Sequence, residues 1–251
     1  MRVLRALLGL SVVAMASAPA SGPAWAVDDY DVCLEMIQTD PARAEREAGD
    51  WARYGGGAPA RHCYALALIA IGAQSRAIDE LLGIAAEEPD LEEPARADIL
   101  IQAGEMLYDE GDQITATVVA EQALRLDTRN PGALALRARV KLDSGDVRAA
   151  LRDLEDALKV RPGTARFLAL RASAHRRIGR HLEARDDASF ATEQAPKDAS
   201  AWLERGRAEA ALKDLHSARF SFLEAIDLDR EGPIGEAARR ALQGMEAGIT
   251  E

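Results

Sequence analysis

Few residues in this chain are placed to do chemistry. His62 lies beside Cys63, and an imidazole next to a thiol is the one arrangement that suggests a nucleophile. Adjacent side chains on a helix point about 100° apart, so the two do not meet. The remaining histidines, His175, His181 and His216, are scattered, and no His, Cys or acidic spacing matches a metal site. Gly55-Gly56-Gly57 has no Lys-Ser/Thr after it and no strand before it, which makes it a loop and not a phosphate cradle. No catalytic residue, metal or cofactor is expected, and the chain is expected not to be an enzyme. Two features remain: the cysteine pair Cys33 and Cys63, and an arginine that returns as Arg137, Arg171 and Arg205.

Those arginines sit on a period of 34 residues that runs through the chain. Sliding the segment 131–164 by that period brings Gly145 onto Gly111 and Gly179, and Ala150 onto Ala116, Ala184 and Ala218. It also brings Ala157 onto Ala123, Ala191 and Ala225. A fixed period of this length marks a solenoid of stacked helix pairs, whose apolar surface is buried between neighbours. Composition agrees, since 48% of residues are apolar but only 4% aromatic. Small alanines let helices approach closely, whereas a sheet would draw on β-branched and aromatic residues. The expected class is all-α, in one continuous body.

The repeated unit resembles the tetratricopeptide repeat. Small residues stand at position 8 (Ala65, Gly104, Ala138, Ala172, Gly206) and at position 20 (Ala77, Ala116, Ala150, Ala184, Ala218). Bulk stands at position 4 (Leu100, Leu134, Leu168, Trp202), and Pro89, Pro162 and Pro196 stop the second helix at position 32. The resemblance implies a right-handed α-α superhelix of five units, 58–91, 97–130, 131–164, 165–198 and 199–232, each with an A and a B helix. An acidic loop from Glu87 to Arg96 precedes the second. A capping helix pair over 27–57 and a capping helix within 233–251 are expected at the two ends. The chain departs from the pattern at position 7, with Arg137, Arg171 and Arg205, and at position 11, with Lys141, His175 and Glu209. A half-buried arginine needs a carboxylate, and Asp153 and Asp187, each sixteen residues further on, are the expected partners of Arg137 and Arg171.

Residues 1–26 differ from everything after them. Arg2 and Arg5 precede an apolar run from Leu7 to Met15 that is too short to span a membrane, and Ala24-Trp25-Ala26 offers a cleavage site. The segment reads as a signal peptide cut after Ala26, with no transmembrane segment in the mature chain, and periplasmic export is the expectation. In an exported protein Cys33 and Cys63 are expected to form a disulfide, worth about 3–4 kcal/mol in chain entropy. The formal net charge of −11 argues against partners that need a broad basic surface, nucleic acid and anionic membranes among them.

The resemblance further implies a concave groove lined by the A helices. Its positions carry over to Glu105, Tyr108, Arg139, Leu142, Arg166, Ser173, Arg176, Arg177, Leu203 and Arg207. The arginines suggest an acidic segment or a terminal carboxylate as partner. Two functions compete: a scaffold that holds a segment of another protein, and a carrier for a lipid, glycan or other small ligand.

Overall fold

A computed structural model of the protein describes residues 29–248; the expected leader and its cleavage site lie outside them. Among the described residues the chain is wholly helical. Six hairpins follow one another: α1 (Tyr30–Thr39) with α2 (Pro41–Arg53), α3 (Gly57–Ala70) with α4 (Gln74–Glu87), and α5 (Glu93–Asp109) with α6 (Gln113–Leu126). Then come α7 (Pro131–Asp143) with α8 (Val147–Val160), α9 (Ala165–Arg177) with α10 (His181–Gln194), and α11 (Ala199–Ala211) with α12 (Leu215–Leu228). A single helix, α13 (Pro233–Glu246), closes the stack.

Local signals fix these boundaries. Asp40, Asn130, Asp146 and Asp214 each accept a backbone N–H from the first turn of the helix they precede. Pro41, Pro131 and Pro233 sit in that first turn, where a missing N–H costs nothing. Between A and B helices the turn needs a left-handed residue. Gly72, Gly111, Gly145 and Gly179 supply it at φ of 80, 88, 85 and 79°, but the last hairpin places Lys213 there at φ 66°.

Packing follows the 34-residue period. The position-20 alanines, Ala77, Ala116, Ala150, Ala184 and Ala218, are each fully buried at the crossing of A and B. At position 8 the side chain is set by what faces it. A Cβ on Gly206 would lie 2.6 Å from Cδ1 of Phe222, and one on Gly104 would lie 2.7 Å from Cδ2 of Leu136. Leu100, Leu134 and Leu168 are buried as expected, whereas Trp202 is half-buried, donates Nε1–H to the Pro196 carbonyl, and meets Phe220 edge-on.

The stack curves. The A helices α5, α7, α9 and α11 each touch the next A helix, while the B helices α6, α8, α10 and α12 do not touch one another. The A helices therefore form the inner wall and the B helices fan outwards. The insertion before the second unit differs from the expected loop. Glu93 to Arg96 form an extra turn of α5, which Pro94 can start. Arg96 then reaches back to the carbonyls of Ala85, Glu88 at 2.7 Å and Leu91 at 3.2 Å, so the preceding helix end and the inserted strap share one cation.

Both ends are tied down. A disulfide joins Cys33 on α1 to Cys63 on α3, with Cα atoms 6.3 Å apart, and Trp51 packs on this cluster. At the other end Asp229 Oδ2 accepts the N–H groups of Ile234 at 2.9 Å and Gly235 at 3.1 Å. A Cβ on Gly235 would lie 1.8 Å from the Asp229 carbonyl oxygen, so α13 leaves α12 through a turn that only glycine fits. Ala238 and Met245 are buried against the last hairpin, with Ile234, Ala241 and Leu242 packed beside them.

Candidate functional site

The inner wall encloses a groove of about 610 Å³. Nine of the ten residues expected there line it: Glu105, Tyr108, Arg139, Leu142, Arg166, Ser173, Arg177, Leu203 and Arg207. Arg176 does not, and instead lines a second cavity of about 320 Å³ near α13. Leu142, Ser173 and Leu203 are buried, so they form the floor, while Arg166 and Arg177 are exposed on the rim.

The arginines are not a free cluster. Glu105 on α5 receives Arg139 at 3.4 Å and also Arg166, which comes from two hairpins further on. Arg139 reaches Asp109 at 3.0 Å and lies 3.8 Å above the Tyr108 ring, a cation–π contact. The Tyr108 hydroxyl donates to Asp143, and its pKa is pushed up to about 12, first by burial and then by that carboxylate. Glu204, largely buried, takes Arg207 at 2.6 Å and Arg176 at 3.5 Å. Arg177 donates to a neutral acceptor, the Leu142 carbonyl. The central groove is thus a lattice of opposite charges, five carboxylates to four arginines, and arginine predominates only toward α13.

One groove atom is left over. Glu105 Oε1 is buried with no hydrogen-bond partner in the protein. The register that leads to Arg177 also leads to Asp109 and Asp143, which share its position in their units. Glu204 stands one residue past Leu203 and could be found only by knowing where the neighbouring arginines point.

Beneath the groove the expected ion pairs are present. Arg137 donates to Asp153 at 2.9 and 2.7 Å, and Arg171 to Asp187 at 2.7 and 2.6 Å, both as two-pronged pairs. Lys141 adds a third bond to Asp153 at 2.7 Å. Burial pushes the Asp153 carboxyl up, but the bonds from Arg137 and Lys141 outweigh it and hold it below the usual range. These pairs tie each A helix to its B helix. Cys63 is in the disulfide and His62 is held by Tyr30 at 2.6 Å and Gln102 at 2.8 Å, so no thiol–imidazole dyad forms. Among the described residues no group of His, Cys, Asp and Glu is arranged to hold a metal ion.

A family model described as tetratricopeptide repeat matches residues 135–189 and 179–233. No curated protein sequence matches the chain. Among solved structures, the chain is similar to the crystal structure of the APC/C hetero-tetramer Cut9–Hcn1, with a TM-score of 0.69 and 16% identity. That match covers 86% of this chain and 43% of the other, so the chain spans less than half of that relative. MamA 41-end from Desulfovibrio magneticus RS-1 matches with a TM-score of 0.52 and 20% identity over 70% of this chain and 97% of that one. TTC0263, a thermophilic TPR protein of Thermus thermophilus, matches with a TM-score of 0.53 and 23% identity over 61% of this chain and 82% of that one. At these identities the likeness is one of fold.

Proposed function

We propose that this chain, which matches a tetratricopeptide repeat model over residues 135–233, is a non-enzymatic scaffold that holds a segment of another protein in its concave groove. The groove itself carries this reading. It is a continuous channel along four A helices, with acids and arginines on its walls and a largely apolar floor. A polypeptide has what such a wall needs, namely N–H donors at regular spacing and side chains of either charge. Acidic groups of the guest would lie toward α13, where arginine outnumbers its partners.

The place of action is the envelope of a bacterium of the Gram-negative type, in the periplasm. The leader-like pattern of residues 1–26 and the Cys33–Cys63 disulfide support this, since disulfides persist in oxidising compartments. Alkylation of the unreduced protein from its own host should leave both cysteines unlabelled; free thiols there would remove one of the two supports.

A photo-crosslinking residue at Leu170, on the groove wall, tests the scaffold reading against the same residue at Glu155 on the outer face of α8. Crosslinked polypeptide from the Leu170 position alone is the expected result. Crosslinks from Glu155 alone, or none from either, would reject it. The carrier reading is separated by native mass spectrometry, in which a bound small-molecule mass on the host-purified protein would favour it.

A further inference from the structure

The cavity at the end of the stack adjoins the groove and shares Arg177 and Arg207 with it, but no carboxylate is in its lining. Arg176 and Arg177 reach it from α9, Arg207 from α11 and Arg240 from α13, while Phe222 and Met245, both buried, contribute its apolar side. Alanines from α11 and α13 complete the wall. Four arginines thus line a small space with a hydrocarbon base, Arg177 and Arg240 on its exposed side.

Their charges are only partly met. Glu204 serves both Arg176 and Arg207, Arg177 is bonded to a carbonyl, and Arg240 shares Glu236, which lies out in solvent. A single largely buried carboxylate therefore stands against three of the four cations. Glu204 also fixes Arg176 and Arg207 by one edge each. A guanidinium has five N–H donors, so other edges of these two remain for a ligand. In a protein of net charge −11, this confined positive site selects for small anions that can enter it.

We propose that this cavity is a binding site for a carboxylate carried on a short apolar chain. The planar forks of arginine match the two oxygens of a carboxylate. The base formed by Phe222 and Met245 takes the hydrocarbon, and at roughly 30 Å³ per water-sized group the volume suits a chain of about eight carbons. Two sources share this chemistry: a free aliphatic carboxylate, and the carboxyl terminus of a polypeptide ending in an aliphatic residue. Arg177 and Arg207 also line the groove, and Arg176, Arg240, Phe222 and Met245 set the cavity apart from it. The cavity makes α13 a wall of the binding site as well as the closing layer of the stack.

Isothermal titration of the full chain with octanoate tests this, alongside 1-octanol and a peptide ending in leucine, as free acid and as amide. Octanoate or the free-acid peptide should bind, and the octanol or amide counterpart should not. Whichever carboxylate binds more tightly identifies the source. Arg240→Ala, on the outer wall, should weaken binding by about fivefold, and Ala241→Phe should abolish it by filling the cavity. If circular dichroism shows that Ala241→Phe is unfolded, Arg240→Ala decides alone. No binding of either carboxylate, equal binding of the uncharged counterparts, or unchanged binding by folded Arg240→Ala would overturn the proposal. Tyr108→Ala, in the central groove, should leave octanoate binding unchanged, which keeps a failure of the groove reading distinct from a failure of this one.

Discussion

In the hairpin of α7 and α8, Arg137 reaches across to Asp153 on the facing helix, and Lys141 joins it. In the hairpin of α11 and α12, the equivalent Arg205 takes its carboxylate from its own helix, Glu209 at 2.9 Å, and the facing helix offers only Ser221, which donates to Glu209 at 2.7 Å. The acid has moved from the B helix to the A helix, from position 23 to position 11. Arg205 also lies 5.3 Å from the Trp202 ring and donates to Thr192 of the preceding hairpin. Comparing the two shows that what persists along the stack is a buried charge balance around the position-7 arginine. The residue that supplies the opposite charge is exchangeable so long as another position gives it up.

The largest expected effect breaks that balance. Asp153→Ala should destabilise the protein by about 3–5 kcal/mol, because Arg137 and Lys141 lose their shared carboxylate in a largely buried site. Ser221→Ala, at the same position of the last hairpin, should cost only about 1 kcal/mol. Chemical denaturation of the two variants checks the contrast, and similar losses would show that position 23 has the same role in both hairpins.

Ser221→Asp should destabilise by about 2 kcal/mol, since it buries a second carboxylate against Glu209. Glu209→Lys in the same chain recreates the arrangement of the α7–α8 hairpin and should recover most of that loss. A double-mutant cycle measures the coupling, and simple additivity would contradict the idea of an exchangeable acid.

The turns differ as well. Lys213 holds a left-handed conformation that glycine holds in four of the other hairpins, so Lys213→Gly should stabilise by about 1 kcal/mol, seen as a higher Tm. Gly145→Lys in the α7–α8 hairpin should lower it by a similar amount.

The smallest effect concerns pH. His175 occupies in the α9–α10 hairpin the place of Lys141, and its pKa is lowered, first by burial and then by the nearby Arg171 and Arg180, against the pull of Asp187 and Glu183. The unfolded chain therefore takes up the proton more readily than the folded one. Stability present above pH 6.5 should fall as pH drops below that value toward the folded pKa. His175→Gln should flatten that part of the profile in pH-dependent denaturation.

The helical frame was readable because it depends on short-range necessity. Ala150 and Ala184 must be small wherever two helices cross, and a residue such as Gly145 marks each turn, so the period alone carries the architecture. Arg137 and Asp153 were also readable, since both lie within one hairpin. The charge lattice of the groove was not. Glu105 and Arg166 are 61 residues apart and meet only because the stack curves. Arg240 is exposed to solvent, and nothing in the period tells that it lines the same cavity as Arg207.

The clasp between Asp229 and the start of α13 has a consequence for binding. A wall attached through a loose linker would have to come to rest each time a ligand arrived, and the motion lost would be subtracted from the affinity. Here two backbone N–H groups hold the helix to a single carboxylate, and a turn with no room for a side chain sets its angle. The end chamber therefore exists in its receptive shape before any guest enters, and occupancy should leave hydrogen exchange at α13 nearly unchanged.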